Sequence, residues 1–251
     1  MSSARIKETH WQMGALALRL REEMGLALTD PVPVRSILKK KGIIAVFRPL
    51  SGSFSGMAVK AMDKTGTSHR FMLVNTAQSL GKERFTACHE LYHLLFQERF
   101  EYSANNAGTF DSSRQEEYNA DIFAASLLLP EPGINQIIPF REREKDAISL
   151  DTILALEQNY LCSRTTLLRM LKTMNLISSD IYNKYSIDVM HRASEYGYDL
   201  MLYKPSNKSV IIGDYNLKAR ALLCSGKISN ARYQELLDDM GLDKEEDYDG
   251  D

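Results

Sequence analysis

The chain has 251 residues, 44% of them hydrophobic, and its 31 Lys and Arg nearly balance 33 Asp and Glu. That length can bury a sizeable core, in one compound domain or two, while a net charge of -2 and a pI near 6.2 exclude the electrostatic footprint of nonspecific nucleic-acid binding. Cys88, Cys162 and Cys224 are odd in number and widely spaced, which argues against a disulfide framework and for a reducing compartment.

The first eight residues, Met1-Ser2-Ser3-Ala4-Arg5-Ile6-Lys7-Glu8, lack the apolar core of a signal segment, and no later run is long enough to span a bilayer. The expectation is a cytoplasmic protein with no membrane partner. An amphipathic helix is predicted near residues 6–24, with Met13, Leu16, Leu20 and Met24 on one side and Gly25 as its cap. Asp30-Pro31 opens a short helix through Val34, Ile37 and Leu38, closed by Gly42. Strands follow at 43–48, 56–61 and 70–75, separated by residues 49–54 and by a turn near 63–67. They are expected to form a small antiparallel sheet, whose exposed edge could take an extended peptide as an added strand.

Next comes His89-Glu90-Leu91-Tyr92-His93. Residues four apart share a helix face, so His89 and His93 can point at one metal ion, and imidazole nitrogens bind zinc at about 2.0–2.1 Å. Glu90 lies one step round the helix, within reach of a water held there but out of competition for the metal. Apolar or aromatic residues at 85, 88, 92, 95 and 96 predict a helix enclosed by protein. Enclosed imidazoles need partners, because an unpaired buried polar group costs about 1–3 kcal/mol. Cys88 points about 100° away from His89 and is a poor candidate ligand.

Residues 101–115 read as a polar loop, which either shapes a cleft or merely connects. A helix then runs from Glu117 to Pro130. Positions 117, 120, 121, 124 and 128 share a face that is small and apolar apart from Glu117 and Asp121. Another helix could approach closely there, bringing Glu117 to the two histidines and Asp121 to the spare N–H of one imidazole. The alternative is a solvated acidic first turn.

These two blocks resemble the ImmA/IrrE-type zinc metallopeptidases. The likeness lies in Arg84-Phe85-Thr86-Ala87-Cys88-His89-Glu90-Leu91-Tyr92-His93-Leu94-Leu95 and in Glu117 with Ala120-Asp121-Ile122-Phe123-Ala124-Ala125 and Leu127-Leu128-Leu129-Pro130. The segments Gly42-Ile43-Ile44-Ala45-Val46-Phe47-Arg48-Pro49 and Leu73-Val74-Asn75 look like the family's preceding strands, and the likeness spans roughly residues 15–180. It implies an α+β, zincin-like core with Zn2+ as cofactor, His89, His93 and Glu117 as ligands, and Glu90 as catalytic carboxylate. It also implies a narrow-specificity endopeptidase whose protein substrate is a helix-turn-helix repressor or antitoxin. Two departures stand out: Tyr92 where family members usually carry glycine, and Cys88 where they carry alanine. Tyr92, Tyr102, Arg114 and Tyr118 are candidate donors to substrate or oxyanion.

Past Pro130, residues 148–160 and 163–174 read as two helices joined at Leu161-Cys162-Ser163, with Leu150, Ile153, Leu154, Leu167, Leu168 and Leu171 as the apolar stripe. This helix-turn-helix-like unit carries Arg164, Arg169 and Lys172, but no basic arm accompanies them, so packing or partner contact is favoured over DNA binding. Residues 198–203 and 209–212 are predicted to form a hairpin, followed by helices near 216–224 and 229–240. The acidic residues 243–251 read as a solvated tail, and His69 and His191 as isolated side chains. The expected organisation is a metallopeptidase core at 1–135, a helical module at 136–183, a small accessory unit at 184–242 and the tail. Two other functions compete: a non-catalytic interaction module partnering a transcription regulator, and a DNA-binding regulator acting through 148–174.

Overall fold

A computed structural model describes residues 3–97, 103–105 and 115–239. In chain order its elements are α1 (Ser3–Glu23), α2 (Val34–Lys40), β1 (Ile43–Arg48), β2 (Gly56–Met62), β3 (Ser68–Asn75), α3 (Leu80–Leu95) and β4 (Ser103–Asn105). There follow α4 (Gln115–Leu128), α5 (Glu131–Ile137), α6 (Leu150–Tyr160), α7 (Arg164–Thr173), α8 (Ser179–Tyr185), α9 (Val189–Glu195), β5 (Val210–Ile212), α10 (Tyr215–Cys224) and α11 (Asn230–Asp239). The fold is α+β, as expected. Most of the loop expected at 101–115 and all of the acidic tail lie outside the described residues. Among those described, no helix is long and apolar enough to cross a membrane.

The sheet runs β4-β2-β3-β1-β5. It is mixed rather than wholly antiparallel: β1 and β3 pair in parallel, from Ile43 opposite Arg70 to Arg48 opposite Asn75. The reason lies in burial. Ile43, Ala45, Val46 and Phe47 of β1 are all buried, the near-continuous apolar pattern of an interior strand. Residues 60–62 of β2 lie beyond its pairing with β4, which covers only 56–58, and pass from half-buried to exposed. The β2–β3 hairpin turns at Asp63, whose Oδ1 accepts from the backbone N–H groups of Thr65 and Thr67.

The hairpin expected at 198–212 does not form. Met201–Tyr203 is a 3₁₀ turn, and β5 instead pairs antiparallel with β1, Ala45 opposite Ile212 and Phe47 opposite Val210. The outer edge of β1 presents backbone donors and acceptors that need partners, and the apolar run 210–212 supplies them. Pro205 cannot donate to a ladder, and Lys204 accepts from Leu80 N–H at 3.0 Å, tying this segment to the start of α3.

Helix α3 packs on the sheet, and α4 packs against both α1 and α3. Ala17, Ala120 and Ala124 are fully buried, and side chains this small let helices approach closely. Arg21 of α1, itself 1% exposed, donates to the carbonyls of Leu127, Ala27 and Asp30, which satisfies the end of α4 and the loop after α1.

The expected pair of helices after residue 148 is present as α6 and α7. Ser149 and Ser163 cap them through Thr152 N–H and Thr166 N–H, and Leu161 takes a left-handed conformation at φ 52. Their turn docks on α3: Arg84 Nε donates to Leu161 O at 3.0 Å, and a side chain on Gly81 would meet the backbone of Ser163. Arg164 is not a surface cation. It is 3% exposed and pairs with fully buried Glu157.

Candidate metal centre

Every residue of α3 from Phe85 to Leu94 is buried, as the apolar spacing predicts. The helix is thus a buried rod with two imidazoles and a carboxylate set in it, and each polar group must find a partner inside the protein. Burial pushes the Cys88 thiol up to about 12, so it remains protonated and takes no part as a ligand.

The expected convergence is present. His89, His93 and Glu117 each offer one ligand atom, all within 4.8 Å of one another. His89 Nε2 lies 3.2 Å from His93 Nε2 and 3.2 Å from Glu117 Oε2, and His93 Nε2 lies 3.7 Å from Glu117 Oε1. Ligand atoms about 2.0–2.1 Å from a tetrahedral ion stand about 3.3 Å apart, close to this spacing. Asp121, one turn after Glu117, stands 2.8 Å from His89 Nδ1, so that nitrogen donates and Nε2 is turned to His93 and Glu117. On the partner imidazole, Gln97 Oε1 stands 2.6 Å from His93 Nδ1 and does the same.

Electrostatics point the same way. Burial pushes the His89 imidazole down, but its hydrogen bonds to Asp121 and Glu117 outweigh this and hold it up at about 10. Burial, followed by the neighbouring charge of His89, pushes His93 down. Two imidazole nitrogens and a carboxylate thus share room for one positive charge. A divalent cation fills that room better than one shared proton, because all three groups can donate to it at once. Two nitrogens and a carboxylate are a donor set suited to zinc.

Glu90 is fully buried, and both its carboxylate oxygens lack a hydrogen-bond partner among the described residues. Burial pushes its carboxyl up to about 8, against the opposing charge of His89. With no donor among the described residues, both oxygens are open to accept a hydrogen bond from a water. Gly56 of β2 makes room for it, since a Cβ there would come within 3.3 Å of Glu90 Oε1 and would overlap Thr86.

Two of the candidate substrate or oxyanion contacts have partners within the protein. Tyr92 is 4% exposed, and its hydroxyl donates to Glu116 Oε2 at 2.8 Å while accepting from Asn119 Nδ2 at 3.2 Å. Tyr118 directs its hydroxyl to His10 Nε2 of α1 at 3.1 Å. Arg114 and Tyr102 lie outside the described residues. His69 and His191 sit at the surface beside Asp63 and Glu195, remote in sequence from this cluster. Gln97, Gly56, Glu116 and Asn119 were missed at the sequence level. Gln97 carried a readable signal, four residues after His93; Gly56 carried none, because its neighbour comes from a helix 30 residues on.

Residues 39–171, more than half of the chain, match the family Peptidase_M78, the IrrE N-terminal-like domain. No curated protein is significantly similar to the chain.

Proposed function

Because the chain belongs to the Peptidase_M78 family of IrrE N-terminal-like domains, we propose that it is a zinc-dependent endopeptidase. The observation that carries this reading is the meeting of His89, His93 and Glu117 beside the buried carboxylate of Glu90.

His89, His93 and Glu117 would hold the zinc, with Asp121 and Gln97 fixing the two imidazole orientations. Bound zinc supplies a Lewis acid that polarises a peptide carbonyl and lowers the pKa of water to about 7. Glu90 holds the proton taken from the attacking water and passes it to the leaving amine. The carboxylate must accept a proton and then release it. Enclosure by Thr86, Gly56 and the sheet leaves Glu90 no competing donor among the described residues.

The substrate of this reading is a helix-turn-helix repressor or antitoxin, encountered in the cytoplasm. Support for a protein rather than DNA partner comes from Arg164, the first cation of α7, which is neutralised in the interior by Glu157. The test is zinc content and cleavage of a regulator encoded beside this chain. Glu90→Gln is expected to retain zinc and lose about 10²–10⁴-fold in cleavage rate, whereas His93→Ala loses both. Equal turnover by Glu90→Gln and the parent would remove Glu90 as the base. Stable zinc-loaded association with an intact regulator would favour the non-catalytic interaction module instead.

A further inference from the structure

Glu117 is carried by α4 (Gln115–Leu128), and its side chain is 18% exposed where those of His89 and His93 are 2% and 1%. A carboxylate ligand less enclosed than its partners has more freedom to move, so its place depends on how its stretch of α4 is held against α3. One side chain of α3 contacts α4 on both sides of it.

Tyr92 lies between the two histidine ligands in sequence. Its ring is wedged edge-on against His93, with centroids 5.6 Å apart, and tilted against Phe123 of α4 at 5.8 Å. Its hydroxyl donates to Glu116 Oε2 and accepts from Asn119 Nδ2, three residues apart on one face of α4. Asn119 Oδ1 in turn accepts from Gln115 Nε2 at 2.8 Å. The phenol thus engages residues on either side of Glu117, and the chain of bonds runs on to Gln115.

We propose that Tyr92 is a positioning residue for the metal centre: its hydroxyl braces α4 on either side of Glu117 through Glu116 and Asn119 and so fixes where the Glu117 carboxylate stands relative to His89 and His93. The proposal rests on the metal centre described above. It assigns the tyrosine a part in holding the metal with no contact to substrate. A phenol suits the task because only two torsions must be frozen, and packing of the ring already freezes them.

Zinc affinity, measured by competition with a chromophoric chelator, tests this. Tyr92→Phe removes one oxygen and keeps the ring, and it is expected to weaken zinc binding about tenfold, the lower end of the effect of outer hydrogen bonds on metal sites. Glu116→Ala, a change at an exposed position, is expected to weaken it similarly. The double variant should be no weaker than the worse single one, because both substitutions break the same bond. Glu116→Gln, which still accepts from the hydroxyl, should bind zinc as the parent does. A merely structural role would lower the unfolding midpoint of the metal-free protein without this pattern in affinity. Parental affinity in both Tyr92→Phe and Glu116→Ala, with zinc lost in His93→Ala, would overturn the brace and leave the metal centre standing. A parent that binds no zinc would overturn both.

Discussion

Asp121 and Gln97 each hold the outer nitrogen of one imidazole, but with different force. Asp121 is 1% exposed and offers a carboxylate to His89, while Gln97 offers an amide oxygen to His93. Asp121→Ala is expected to weaken zinc binding by about 10–100-fold. Asp121→Asn should cost less, since its amide oxygen still accepts from Nδ1; chelator competition separates the two. Gly56 is the counterpart on the sheet. Gly56→Ala forces β2 away from Thr86 and Glu90, which should lower stability by about 1–3 kcal/mol, read from the urea midpoint. The histidines, Glu90, Glu117 and Asp121 could all be picked out in the sequence because their spacing follows helical geometry. Gly56 could not, since its constraint comes from a side chain on another element.

At the level of elements, the site is the contact between α3 and α4, and the angle of that contact is held from outside. Arg21 binds α1 to the last turn of α4 through Leu127 O and to the following loop through Ala27 O and Asp30 O. Arg21→Met keeps the aliphatic stem but leaves these carbonyls without a charged donor, at an expected cost on the order of 3 kcal/mol, measurable by chemical denaturation. The helices themselves were legible, since α1, α2, α3, α4, α6 and α7 all follow apolar periodicity. Helices α5, α8 and α9, of 7 residues each, were not assigned; α2 is equally short but was marked by Asp30-Pro31 before it and Gly42 after it. Strand β5 has 3 residues and was legible as a strand, but its partner was not.

Across the whole molecule, a buried ion pair joins the later helices. Arg164 contacts Glu157 through Nε and Nη2, and its Nη1 donates to Tyr185 O, while the Tyr203 hydroxyl also reaches Glu157. One pair thereby ties α6, α7, the end of α8 and the 3₁₀ turn before β5 together. Arg164→Met strands the Glu157 carboxylate in an apolar interior and is expected to cost about 3–5 kcal/mol. The same burial removes the strongest argument for α7 as a DNA-reading helix. The full chain should give no salt-dependent shift of duplex DNA at physiological ionic strength, and Arg164 would then count as structural.

Residue spacing was enough to pick out the metal-ligand candidates, Glu90 beside them, the paired helices after residue 148 and the α+β class, because all of these are written in periodicities of a few residues. Strand order, the parallel register of β1 with β3, the capture of β5 by the sheet and the bracing of Glu117 by Tyr92 emerged only in three dimensions. Each depends on which distant backbone edge or polar side chain must be satisfied in the interior. That demand arises only once the chain has excluded water, and no local pattern encodes it.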